Sequence, residues 1–342
     1  MTSRYRMGRP QGRRRLRTGV LLALVVAVML ALGVGGLSHH APGAAARAAT
    51  DSGPDITPLP APSGVGPAPG TPGTQAVTLA VEQALRTTPA AAPGAVSLAL
   101  LDLTSGSTAV AGADGHRFVT ASIVKADILA ALLRQTGSAL TEEQEQQATA
   151  MIEDSDNDAA GELFEEIGGA EGLDRANQAF GLTATTAGRD GYWGLTTTTV
   201  EDQLRLLRVI FDRHSPLDPA AQDRIRGLMA AISEEQAWGV SAAASPDGGW
   251  MLKNGWLERD QDGLWVVNSI GQVTTGAGHR VLVAVLSDGN VTEEDGVSVV
   301  ESVAVAAVQA LTSGQALTSG QAGAAAGAAA AVGSVAGSTG RE

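Results

Sequence analysis

The chain has 342 residues, no cysteine, and 36 acidic against 23 basic residues, for a formal net charge of −13. The missing cysteine excludes disulfides and a lipid-modified N-terminal Cys, and with 44% hydrophobic residues the chain has enough apolar material for a sizeable core. All eight basic residues of 1–49 are arginines with no acid among them, so the rest of the chain is far more acidic than the total suggests, a poor partner for nucleic acid.

In chain order, Arg13, Arg14, Arg15 and Arg17 precede an unbroken apolar run, Val20–Leu32, and small residues follow at 44–48. A basic flank, an apolar core and small-residue cleavage sites form an export signal. Residues 18–37 are also long enough to span a bilayer with the basic flank inside, so 1–49 is expected to be a cleaved signal peptide or a retained signal anchor. The expected location is secreted or at the cell surface, with membrane contact only through 18–37 if they are kept. Residues 50–75 hold seven of the 14 prolines and read as an extended, disordered linker. Residues 312–342 read as a low-complexity Ala/Gly tail, in which QALTSG repeats back to back. One globular unit, 76–311, remains.

Within that unit, 74–88 has helical spacing, and Ala95–Leu103 and Ser107–Ala111 flank a Thr-Ser-Gly turn as a strand hairpin. Ser122–Arg134 is a helix apolar on nearly every side, hence buried. Thr141–Glu153 opens with a capping-box pair, Thr141 and Gln144. Helices are expected at Ala159–Ile167, Ala170–Phe180, Thr198–Arg213 and Pro219–Ala231. The period then changes to strands at Trp250–Trp256, Leu264–Val273 and Arg280–Ser287, and Val297–Leu311 closes as a helix. The order predicts an α/β fold of three layers, α-β-α, with an antiparallel sheet lobe from both chain ends and an inserted all-helical lobe.

Only two lysines occur in the chain, Lys125 and Lys253, and both lie in short polar motifs. An arginine cannot give up its proton, whereas a buried amine can be neutral and act as a base. Ser122 and Lys125 are three residues apart, one turn on a helix, which puts a weak nucleophile beside a base. Ser155-Asp156-Asn157 reads equally as a capped helix–helix turn, and Lys253-Asn254-Gly255 as a solvent-facing Lys beside a bulge. His116, His214 and His279 show no metal-like or triad-like neighbourhood, and no metal or cofactor is expected.

Taken together and in this order, Ser-x-x-Lys, Ser-Asp-Asn and Lys-x-Gly resemble the serine β-lactamase and penicillin-binding (D-alanyl-D-alanine peptidase) superfamily, in its class A variety. Gly168-Gly169-Ala170 with Gly172-Leu173, and Leu195-Thr196-Thr197-Thr198, are similar to that class as well. The resemblance implies a β-lactamase/transpeptidase-like fold and an acyl-enzyme mechanism. It implies Ser122 as nucleophile, Lys125 as general base, Ser155 as proton relay to the leaving group, and Asn157 as partner of the substrate amide. It implies Lys253, with Asn254 and Gly255, at the substrate carboxylate, and the N–H groups of Ser122 and Trp256 as the oxyanion hole. The implied partner is a β-lactam, a D-Ala-D-Ala-type peptide or another ester or amide, acted on by a monomer.

The chain departs from class A in two places. The loop Leu182–Gly194, where that class carries its deacylating Glu, contains only one carboxylate, Asp190, expected to pair with Arg189. The third motif has Asn254 where a hydroxyl is usual, followed by the bulky Trp256. The expected protein is an exported serine hydrolase slow in deacylation, or else a penicillin or cell-wall sensor that acylates without turnover. An aromatic cluster of Tyr192, Trp193 and Trp256 is a further candidate pocket lining.

Overall fold

The computed structural model describes residues 72–88, 93–113 and 115–313. The expected signal segment and most of the Pro-rich linker and the tail lie outside them. Helix α1 (Pro72–Thr87) begins inside the expected linker, because Pro with its fixed φ is a favourable first helical residue. It packs on the edge strand β2 (Thr108–Gly112) of the main sheet.

That sheet has five antiparallel strands in the order β2-β1-β7-β6-β5, with β1 Ala95–Asp102, β5 Trp250–Glu258, β6 Trp265–Thr274 and β7 Arg280–Asn290. Its central strands β6 and β7 are buried almost throughout on both faces, so neither shows the alternation of a half-exposed strand, and the polar Asn268, Ser269 and Gln272 of β6 are buried with it. Helix α8 (Glu293–Ser313) ends two residues past the expected boundary at 311. It is long and apolar enough to cross a membrane, but Val299, Val300, Val303, Ala304, Ala307, Val308 and Leu311 belong to the same core as the sheet.

Between β2 and β5 the chain builds the helical lobe. A two-residue strand, β3 (Phe118–Val119), pairs with β4 (Thr197–Thr198). Helices α2 (Val124–Thr136), α3 (Glu142–Glu153), α4 (Asn157–Glu166), α5 (Gly169–Phe180), α6 (Val200–Phe211) and α7 (Pro219–Ala230) make up the rest. The expected α/β fold, with its sheet from both ends and its helical insertion, is the fold observed.

Helix α2 runs through the middle of the lobe, touching α3, α4, α5 and α7, and every residue from Val124 to Leu133 is buried. Truncating one of its core leucines is worth about 2–5 kcal/mol. Its burial has a polar cost. Asp127 lies inside with Asn177 of α5, whose amide nitrogen, turned toward the carboxyl, reaches its oxygens at 2.7 and 3.0 Å. Burial pushes the Asp127 carboxyl up to about 8, with the Asn177 hydrogen bond opposing.

Two boundaries differ from expectation in ways that shape the site. The helix expected from Ser122 starts instead as a 3-10 turn over Ala121–Ile123, and α2 proper begins at Val124. Ala121 sits at φ +48, a left-handed conformation that breaks the entry to the helix. The helix expected from Thr198 begins at Val200, because Thr198 is held in β4 and Thr199 caps α6 by accepting from the Asp202 amide. The capping box of Thr141 and Gln144 is present on α3.

Candidate active site

The site lies where α2 starts, between β5 of the sheet and the α3–α4 turn. Ser122 sits on the 3-10 turn, 9% exposed, with Gly255 of β5 directly behind it. A Cβ on Gly255 would stand 2.6 Å from the amide nitrogens of Ser122 and Ile123 and 2.8 Å from the Thr120 carbonyl. Only a residue without a side chain lets the strand approach this closely. Asn268 of β6 pins the other side of the turn, donating to the Val119 and Thr120 carbonyls at 2.9 and 3.0 Å. Thr120 in turn donates its amide to Thr196 at 2.8 Å.

Lys125, on the first turn of α2, is fully buried. Its amine donates to the Ser155 carbonyl at 2.7 Å, to Ser155 Oγ at 3.0 Å and to Asn157 Oδ1 at 2.8 Å. The Trp193 ring covers it, with the centroid 4.9 Å from Nζ. Desolvation, reinforced by the charge of Lys253 and opposed by Asp156, holds the Lys125 amine down at about 6. It therefore sits substantially neutral at pH 7, as a base requires.

Lys253 is also fully buried and reaches Ser155 Oγ from the other side at 3.0 Å. Its remaining partners are the Asn254 carbonyl at 3.2 Å and Gln236 Oε1 at 3.4 Å, and desolvation lowers it to about 7. The Ser155 hydroxyl is thus shared by the two lysines of the chain. Once Lys125 has taken up a proton, both amines can donate to the lone pairs of this hydroxyl, and the hydroxyl's own proton is free to be given away. Ser155 is held at φ +55, a left-handed conformation that costs a non-glycine residue on the order of 1 kcal/mol or more. In the Ser155-Asp156-Asn157 segment Asp156 caps α4 by accepting from the Ala159 amide at 2.8 Å, as expected of a helix–helix turn, while Ser155 and Asn157 accept from Lys125.

The structure brings Ser122, Lys125, Ser155, Asn157, Lys253 and Gly255 into one place and gives Asn254 and Trp256 other partners. The Asn254 amide donates to the Gln236 and Trp238 carbonyls at 2.8 and 3.0 Å, and the residue is 1% exposed. Trp256 stacks edge-to-face on Trp238, centroids 5.6 Å apart. The expected aromatic cluster divides accordingly: Trp193 is buried on Lys125, Trp256 lies against Trp238, and Tyr192 is 45% exposed. Asp190 is exposed on a turn at φ +55, and Arg189 pairs not with it but with Asp174 at 2.8 Å and Glu171 at 3.6 Å. The loop brings the Glu171 and Asp174 carboxylates of α5 within reach of the guanidinium.

The three described histidines pair with acids: His116 with Asp288 at 2.7 Å, His279 with Asp102 at 2.8 Å and His214 with Asp212 at 3.7 Å. Among the described residues no group of three His, Cys, Asp or Glu side chains forms a metal site.

Comparison with known proteins shows a family and a fold. A profile of the beta-lactamase enzyme family matches residues 138–311, half of the chain, including Ser155, Asn157 and Lys253. The chain belongs to the β-lactamase enzyme family. The profile match begins after Ser122 and Lys125; Lys125 is tied to the site by its hydrogen bonds to Ser155 and Asn157, and Ser122 by its backbone against Gly255.

Solved structures share the β-lactamase fold at low identity. A class A β-lactamase from Bacteroides cellulosilyticus is 18% identical, with TM-score 0.60 over 71% of this chain and all of that one. A variant of PBP-A, solved as an acyl-enzyme complex with penicillin G, is 21% identical, with TM-score 0.57 over 70% of this chain and 97% of that one. A β-lactamase from Xanthomonas campestris is 20% identical, with TM-score 0.58 over 70% of this chain and 98% of that one. No curated protein sequence matches the chain.

The partners that sequence reasoning passed over are Asn268, Gln236 and Trp238. Asn268 had a signal: a polar residue inside the apolar strand Val266-Val267-Asn268 must find a hydrogen-bond partner. Gln236 and Trp238 had none, because a 3-10 turn carries no periodicity.

Proposed function

We propose that the protein is an exported serine hydrolase that is acylated at Ser122 and clears the acyl group slowly. The observation that carries this reading is the Ser155 hydroxyl held between two buried amines, at 3.0 Å from each. Neutral Lys125 takes the Ser122 proton as Oγ attacks the acyl carbon. The backbone amides of Ser122 and Trp256 stabilise the oxyanion. As the bond to the leaving group breaks, Ser155 gives its proton to the departing atom and is reprotonated by Lys125. Lys253 keeps the Ser155 oxygen oriented and its field positive. Water then hydrolyses the Ser122 ester and releases the acid.

That last step lacks a placed base. Trp193 occupies the flank of Lys125, and the one loop carboxylate, Asp190, is exposed on a turn. A general base contributes about 10²–10⁴-fold to such a step. This favours a second reading, a sensor of β-lactams or cell-wall peptides that is read out while acylated. The basic and apolar N-terminus supports export in both. The family and the penicillin-bound relative support a small-molecule β-lactam or a related ester or amide as the acyl donor.

Stopped-flow hydrolysis of p-nitrophenyl acetate, a chromogenic ester without a carboxylate, tests the slow clearing. The expected trace is a burst of about one equivalent per protein followed by a far slower steady state. A linear trace at many turnovers per second, without a burst, would contradict it.

A further inference from the structure

We infer that the site is built for acyl donors that carry no carboxylate beside the scissile bond, the leaving group resting instead on an apolar wall. The inference rests on the acyl-serine reading of the same site. A carboxylate brought out of water needs donors that replace its hydration. The two side chains of the third motif that carry N–H groups, Lys253 and Asn254, have none to spare. Lys253 is 0% exposed, and even when it is protonated all three hydrogens have partners in Ser155 Oγ, the Asn254 carbonyl and Gln236 Oε1. Asn254 is 1% exposed, and both of its amide hydrogens go to the carbonyls of Gln236 and Trp238.

What Asn254 has left is an acceptor. Its Oδ1 is buried without a donor, and a carboxylate supplies none. Gly239, whose Cβ would stand 3.2 Å from this oxygen, gives its own amide to Glu301 Oε1 at 3.2 Å. The turn that Asn254 holds also carries Glu234 and Glu235, both exposed. Asn254 therefore has an acceptor and no donor left for an incoming anion. The rim beside it is the half-buried Trp238–Trp256 pair, which suits an apolar or aromatic group. Asn254 in place of a hydroxyl thus selects against an anion by removing its donor and adding a wall.

The chemistry is unchanged by the choice of substrate. The Ser122 Oγ–acyl bond forms, the C–N or C–O bond to a neutral leaving group breaks, and that group departs with the proton from Ser155.

Acylation rates of the full-length protein with penicillin G and with its methyl ester, followed by intact-protein mass spectrometry, test the inference. The ester is expected to label Ser122 at least tenfold faster than the free acid, and Asn254→Thr, which restores a hydroxyl, is expected to narrow that ratio. A wild-type ratio below tenfold overturns the inference whatever the variant does. Labelling of Ser122 with the acid faster overturns the inference alone. Absence of a Ser122 adduct from both compounds, and of a p-nitrophenolate burst from p-nitrophenyl acetate, removes the acyl-serine reading and the inference with it.

Discussion

Lys125→Ala loses about 10³-fold or more in the rate of Ser122 acylation, and Lys125→Arg loses as much although it keeps the positive charge. A charge that only positioned Ser155 and Asn157 would be replaced in part by a guanidinium. A base would not, because Arg stays protonated. The wild-type pH profile separates the two roles further. Burial and the neighbouring Lys253 hold the Lys125 amine at about 6, so its neutral form is lost below that pH and nearly complete above about 7. Acylation is therefore expected to rise with pH, half-maximal near 6, and then level off. Because Lys125 and Lys253 share one hydroxyl, the midpoint belongs to the pair rather than to either amine.

The same burial sets a stability trend. An amine near 6 when folded and 10.5 when unfolded binds fewer protons in the native state, so the contribution of Lys125 to native stability rises with pH across that interval. Pre-steady-state acylation from pH 5 to 8 is the check, and a flat profile would show that Lys125 is not the base.

Gly255→Ala is the second large effect. Its new Cβ would meet backbone rather than a movable side chain: the nitrogens of Ser122 and Ile123 at 2.6 Å and the Thr120 oxygen at 2.8 Å. The turn can yield only by moving away from β5, and with it goes one of the two amides proposed for the oxyanion. Loss of such a donor costs about 10²–10³-fold in rate. Overpacking costs about 1–3 kcal/mol in stability. The acylation rate at saturating substrate, with the thermal midpoint measured alongside, distinguishes the two. Gly271→Ala on β6, equally tight against backbone with its Cβ 2.2 Å from the Met251 carbonyl, is expected to lower the midpoint and to spare the rate.

Most of the fold was legible because its elements carry clear periods. Helix α2 is apolar on nearly every side, and β7 carries an unbroken apolar run, Val281–Leu286. The switch from helical to strand period near Trp250 marks the end of the inserted lobe. The boundaries that failed are set by contacts distant in sequence. Ser122 lies on a 3-10 turn because Ala121 takes a left-handed φ between β5 and β6, and Thr198 leaves its helix to pair with Phe118.

In the site, the rarity of lysine pointed to Lys125 and Lys253, and one shared hydroxyl is the physical reason that an amine stands at each place. The partner of Arg189 and the turn that captures Asn254 were not legible. Both depend on which groups the loops bring within 3 Å, and nothing local in the sequence encodes that.

The most direct test of the central claim is intact-protein mass spectrometry of the full-length chain with penicillin G and its methyl ester, followed over hours, with peptide mapping and Ser122→Ala alongside. The account predicts one adduct per chain, mapped to Ser122, persisting long after excess compound is removed and missing from the variant. An adduct that the variant also forms, or none on the wild type with either compound, would contradict it.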